Sequence, residues 1–442
     1  MFTTRSRAVA LATLTSLALL AGCGSSSNDN KPDAPTGFKL TPGDGRIYVT
    51  WDDQSATTDL RYWLFSARTT SMTRDDYRKY PDARVTAPVT TGFALTGLTN
   101  GLDYAMFMNA THGNGPGGAE TETLTAKPRP AADNWAAPID VDVRASKDGA
   151  INDITTFLTY YIAVGADGAI VYSTDPRKNW TAATVAGAPT ASLNGVASNT
   201  TMAVAVGDNG SVYYTTDAVN WTAGAVTWAS GTTGTAVKLN KVTMAPDSAF
   251  VAVGDNGVIV RTTDGINWTE LTSAQKPTSL AANLNAIRNL NGTAVIVGDN
   301  GTLLKSATTS DLSAVGVVVG TGTSKNLRAL LYYSGYYLAA GSEGELIIST
   351  DLTTWHHQSD FGTTSTINGL ALGSRLLAVG NDGTIRIGVF SSSSATDAFF
   401  TWSAPVPSEA GNVSPTGNLL SVSGTSAGFV VTTFDGKTVS AF

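Results

Sequence analysis

The sequence predicts an all-β chain, a β-sandwich followed by a seven-bladed β-propeller. Three observations carry this. The phrase Val253-Gly-Asp-Asn-Gly257 has near-copies along two thirds of the chain. Their starts lie roughly 40–47 residues apart, the length of one four-stranded blade. Between the turns run short alternating segments rich in Val, Ile, Thr and Tyr, the pattern of half-buried strands. The composition agrees: 14% of residues are charged and 45 are glycine, a profile of turns and strands.

At 442 residues the chain is too long for one ordinary domain. A net charge of −7 and no basic stripe argue against a nucleic-acid partner. The single cysteine excludes an internal disulfide and any multi-cysteine zinc site.

Residues 1–22 read as an export signal. Arg5 and Arg7 precede an apolar run from Ala8 to Leu20 that is too short to span a bilayer. The run ends in Leu20-Ala21-Gly22-Cys23, which resembles a bacterial lipobox. That resemblance implies cleavage before Cys23 and lipidation of its thiol. The alternative is an ordinary signal peptide with a chance cysteine. Gly24, rather than Asp, follows the cysteine. This resembles the class sorted to the outer membrane, so the expected location is the outer membrane of a Gram-negative bacterium. Residues 23–32 form a polar tether with nothing apolar to bury.

Residues 33–128 make the first folded unit. Phe38-Lys-Leu40 and Ile47-Tyr-Val49 flank a Pro42-Gly-Asp-Gly45 turn. Ala34-Pro35, Trp51, and Leu98 six residues before Tyr104 resemble a fibronectin type III domain. The resemblance implies a tyrosine corner at Tyr104, no catalytic residues, and a spacer role. The insertion 69–85 departs from that family and is expected to hold a helical turn. Residues 129–135 read as a proline-stiffened linker.

The propeller is assigned to 136–442. Its turns are Gly165-Ala-Asp-Gly168, Gly207-Asp-Asn-Gly210, Gly254-Asp-Asn-Gly257, Gly298-Asp-Asn-Gly301, Gly341-Ser-Glu-Gly344, Gly380-Asn-Asp-Gly383 and a degenerate form at 424–428. Each follows a second strand, since Asn and Gly tolerate the positive φ that a tight hairpin needs. After the third strand comes a second turn, with Asp175 before Trp180, Asp217 before Trp221, Asp264 before Trp268 and Asp351 before Trp355. This resembles the Asp-box of sialidase-type propellers, which implies a structural role: the carboxylate caps turn amides and the tryptophan packs beneath. Blades six and seven lack a tryptophan at that position. The whole phrase, over most of residues 150–390, is more similar to the propeller factors that assist photosystem II assembly and to their non-photosynthetic bacterial relatives. Segment Pro138-Ile-Asp-Val-Asp-Val143 is expected to complete the last blade and seal the ring, with Lys437–Phe442 as the competitor.

Chemistry is sparse. His112, His356 and His357 are the only histidines, and no metal site or cofactor is expected. Resemblance to sialidases would require three converging arginines and a Tyr–Glu pair, and no such Glu stands beside a Tyr. Two binding readings remain. Asn152, Asn194, Asn240, Asn285 and Asn368 share one position of the innermost strand, with Arg328 replacing one. They form either a polar ring at a channel mouth or local partners of their own strand. Arg288 and Arg328, with Tyr332, Tyr333, Tyr336 and Tyr337, have the composition of a partner-binding patch. Assembly-factor relatives use an arginine patch, so the resemblance implies a protein partner. The alternative for the tyrosines is packing between blades.

The reading is a non-enzymatic envelope protein, held in the membrane by an N-terminal lipid, whose propeller binds an envelope protein or glycan. The alternatives are a sialidase-like glycoside hydrolase and an adhesin for polysaccharide.

Overall fold

The computed structural model describes residues 31–442 except 56–57, 116, 142–148, 188, 230–233, 235–236, 278–279, 307–314, 318–319, 359–360, 391–399, 406–414, 426–427 and 442. The export signal, Cys23 and all but the last two residues of the tether lie outside the described residues. Helix among the described residues is limited to 3-10 turns.

Residues 39–126 form two sheets, one of three strands and one of four. Alternation within the strands turns Ile47 and Val49 of one sheet toward Tyr62, Leu64, Met106 and Met108 of the other, all buried. The Tyr104 hydroxyl accepts a hydrogen bond from the Thr99 amide at 3.0 Å, the bond expected of a tyrosine corner. The insertion carries one 3-10 turn, Tyr77–Lys79.

Seven sheets follow among the described residues, five of four strands and two of five, and each is a blade. The innermost strands are Ile151–Phe157, Leu193–Ser198, Leu239–Met244, Leu284–Leu290, Leu327–Tyr333, Ile367–Leu372 and Leu419–Thr425. In blades two and three a short segment from the preceding unit adds a fifth, parallel strand at the outer edge: Thr184–Val185 on Asn220–Ala223 and Ala225–Thr227 on Asn267–Glu270. This covers edges that would otherwise expose unpaired amides.

The repeated Gly-x-x-Gly turn needs each glycine for a different reason. The first ends the second strand in extended backbone against the segment entering the blade. A Cβ on Gly254 would lie 2.2 Å from the Lys238 carbonyl, and one on Gly207 would lie 2.1 Å from that of Ser192. The last is left-handed, with φ of 69° at Gly257, and the residue before it, Asn256, is at 55°.

The ring closes through the N-terminal segment. Ile139–Asp140 pairs antiparallel with Lys437–Ala441, so the last blade takes three strands from late in the chain and its outermost one from before blade one. The rival closing segment is therefore the neighbouring strand of the same blade. Val143 and Phe442 lie outside the described residues.

The structure also moves the linker boundary. Ala131, Ala132 and Trp135 are buried in the core between blades six and seven. Trp135 bridges to Ala441, and its indole N–H donates to the Ala132 carbonyl at 3.1 Å. Blade two repeats this arrangement: Trp221 donates to Ala218 at 3.1 Å, and Ala132 and Ala218 both have left-handed backbone, φ 75° and 68°. Residues 131–135 are thus the missing half of blade seven's second turn. Blade six has its tryptophan too: Trp402, on strand Phe400–Ser403, packs with Phe361 in the core between blades five and six. Neither blade has a tryptophan at the box spacing; blade six takes Trp402 after a longer connection and blade seven takes Trp135 from before blade one.

Candidate functional site

The innermost strands surround a central channel, and one irregularity shapes it. In all seven blades the pairing of the innermost strand with the second slips by one residue near its start, as between Leu284 and Ala286. A bulge leaves one residue without a cross-strand partner and re-aims its side chain. The bulged residues are Asn152, Asn194, Asn240, Asn285, Arg328, Asn368 and Leu420.

Each of the five amides reaches to the next blade. Asn194 Nδ2 donates to the Leu239 carbonyl at 3.0 Å and to Asp208 of its own blade's hairpin at 2.8 Å. Asn240 joins Leu284 and Asp255, and Asn285 joins Leu327 and Asp299. Asn368 joins Leu419 and Asn381, and Asn152 joins Leu193 and the side chain of Asn194. The amides are half-buried and line a cavity of about 410 Å³. They do face the channel mouth. Each donates to a carbonyl of the neighbouring blade, and four of the five also donate to a hairpin side chain of their own blade rather than to a group of their own strand. The ring is incomplete at Arg328, which is exposed and has no hydrogen bond among the described residues, and at Leu420. Lys238, also exposed, lines the same mouth.

One residue further along the innermost strand of blade one stands a carboxylate that the sequence reading did not single out. Asp153 is buried, at 4% exposure. It accepts from the Val196 amide of blade two at 3.0 Å, Lys241 Nζ of blade three at 2.7 Å and Ser421 Oγ of blade seven at 2.7 Å. Four blades meet on this one side chain. The signal was available: at this repeat position the other blades carry Gly195, Ala286, Ala329 and Gly369, so Asp153, Lys241 and Ser421 stand out. Beyond it a second cavity of about 410 Å³ contains Arg288, whose Nη1 donates to the Leu330 carbonyl at 2.7 Å and the Leu370 carbonyl at 3.0 Å. Burial pulls the Arg288 guanidinium below its ordinary value, and Asp153 offsets this in part.

The structure does not gather the arginines and tyrosines into one patch. Arg288 and Arg328 line the channel. Tyr332 pairs with Tyr337, and both pack against the core between blades four and five. Tyr333 and Tyr336 pack with Phe400 against the core between blades five and six. All four are half-buried. Alternation on the strands sends them to opposite faces of one blade.

The box aspartates close turns. Asp217 accepts from the amides of Val219 and Asn220 and from the Thr215 hydroxyl, Asp264 from Ile266, Asn267 and Thr262, and Asp351 from Thr353, Thr354 and Ser349. Asp175 pairs with Arg177 at 2.7 Å. Trp180, Trp221, Trp268 and Trp355 are buried, and each sits in the core shared with the preceding blade. Bonds from Asn220 pull the Asp217 carboxyl down to about 2. Those from Asn267 and Thr354 hold Asp264 and Asp351 well below the usual carboxylate range. A carboxylate depressed in the folded state stabilises above its unfolded value and loses that contribution as pH falls through the folded one. The melting temperature is therefore expected to fall between pH 3.8 and about 2, and Asp217→Asn should flatten that part of a melting-temperature-against-pH curve. A wild-type curve flat over this window would contradict the reading.

His112 lies 2.6 Å from Asp59, and exposed His357 lies 2.6 Å from Glu345. His356, the other histidine of the pair, is exposed on the same short strand. No group of three metal-ligating side chains occurs among the described residues. The cavity linings hold two arginines but no glutamate and no tyrosine, so sialidase-type chemistry is not assembled there.

The propeller fold is shared with solved structures. The WD40 β-propeller domain of Doa1 matches with a TM-score of 0.50 at 12% identity, over 69% of this chain and 97% of that one. YCF48 from Cyanidioschyzon merolae matches with 0.50 at 17% identity, over 69% and 98%. YCF48 bound to D1 peptide matches with 0.50 at 15% identity, over 70% and 94%. At these identities the likeness is one of fold. No protein-family model matches the chain, and no curated protein matches it.

Proposed function

We propose that this chain is an exported, lipid-anchored protein of the cell envelope, and that its propeller is a non-enzymatic scaffold for a protein partner. The observation that carries the reading is the amide-ringed mouth. It presents two exposed cations, Arg328 and Lys238, among fixed amides and the carboxylates Asp255 and Asp299. Such a surface is polar, held by neighbouring blades, and offers donors and acceptors at set positions. The sandwich touches the propeller at the other strand ends, where Tyr48 stacks on Arg177 at 4.7 Å beside a box turn. The mouth is lined by propeller residues alone. A solved YCF48 is bound to a peptide, which supports a protein ligand for this fold. The lipobox-like run at Cys23 supports the anchor.

The test is site-specific photocrosslinking in intact cells. A crosslinker at Lys238 or Asn326, both at the mouth, is expected to give one discrete adduct of the same mass. A crosslinker at exposed Arg84 of the sandwich should give none. Adducts of equal yield from all three positions, or none from the mouth, would remove the assignment of this face.

A further inference from the structure

The inner cavity of the channel carries more positive than negative charge, in a chain whose net charge is −7. Lys241, Arg288 and Arg328 line the inner cavity against one carboxylate, Asp153. That carboxylate is already committed to Lys241, Ser421 and the Val196 amide. Among the described residues neither arginine has an acidic partner.

Arg288 is held from one side. Its Nη1 is fixed by the carbonyls of Leu330 and Leu370, and Nε and Nη2 have no acceptor among the described residues. Asp153 offsets the burial of the Arg288 guanidinium only in part, and a bound anion would add to that offset. Two free N–H groups on one planar fork match the two oxygens of a carboxylate. The hydroxyls of Thr155 and Thr243 and the amide of Asn289 line the same cavity and can satisfy hydroxyl groups on the ligand. Its volume of about 410 Å³ is near the lower end for small-molecule sites.

We propose that the central channel binds a small hydroxylated di- or tricarboxylate, with Arg288 gripping one carboxylate inside the channel and Arg328 another at its mouth. The site shares Arg328 with the proposed protein-binding mouth and reaches deeper, to Arg288. Occupancy would supply the charge that the lumen lacks.

Isothermal titration of the purified chain with citrate tests this, with sulfate at matched ionic strength as the comparison. Citrate is expected to bind saturably, with one site per chain, and to raise the melting temperature. Arg288→Gln and Arg328→Gln should each weaken binding roughly tenfold or more, the loss of a charge-assisted contact. Because Arg328 is exposed and unbonded, Arg328→Gln should melt as wild type without citrate, so its weakened binding cannot reflect misfolding. The proposal is overturned by the absence of a saturable heat at millimolar citrate, by equal binding of sulfate, or by unchanged affinity in Arg328→Gln.

Discussion

Trp135→Ala is expected to lower the unfolding free energy of the propeller by about 3–5 kcal/mol, the usual cost of emptying a large aromatic site in a core. Trp135 is 4% exposed and packs with Leu377, Val379, Phe429 and Val431 between blades six and seven. The cavity would open where Trp135, from before blade one, packs on residues of the last two blades. Deleting 131–141 should have the larger effect, since it removes the whole outermost strand of blade seven. Equilibrium urea unfolding is the measurement. An unchanged midpoint in either variant would mean that Lys437–Ala441 ends the sheet without help and that the segment from 131 is a linker after all.

The second large effect is expected at the centre of the ring. Asp153→Ala removes the acceptor of Lys241, Ser421 and the Val196 amide together. Breaking a buried ion pair from one side commonly costs about 3–5 kcal/mol, because the remaining charge is left without compensation. Here Lys241 keeps 27% exposure, so the lower end of that range applies. The decisive comparison is the double variant Asp153→Ala with Lys241→Met, which should recover part of the loss by removing the stranded ammonium. If the two losses simply add, the pair is not the source of the effect.

The contrast between these residues shows what the sequence could reveal. The blades were legible because their hardware repeats. A glycine at a close approach and a left-handed residue before a second glycine recur in six copies, so spacing alone exposes them. The amide position was legible for the same reason, although its acceptors were not, since pairing between blades leaves no mark within a single repeat. Trp135 was missed because circular closure separates it from its own blade, and the Lys127-Pro-Arg-Pro run before it reads as a linker. Asn134-Trp135 nevertheless matches Asn220-Trp221 and Asn267-Trp268. The tyrosines of blade five misled in the other direction: clustered aromatic residues look like a surface anchor, but strand alternation divides them between two cores. Asp153 was missed because one departure from a repeat carries no periodicity of its own.

The shared turn of blade seven also bears on how the protein is made. Ile139 must wait for Thr438, and Trp135 for Ala441. At about 5–20 residues per second, that interval is roughly 15–60 s of synthesis. During it a large indole and an unpaired strand have no partner, while blades one to six can already assemble around them. The nascent chain therefore carries a sticky edge until translation is nearly finished, and a holdase that shields aromatic strands has its longest opportunity there. Premature termination within blade seven would leave that edge permanently open, which predicts aggregation for truncated products whose first six blades are intact.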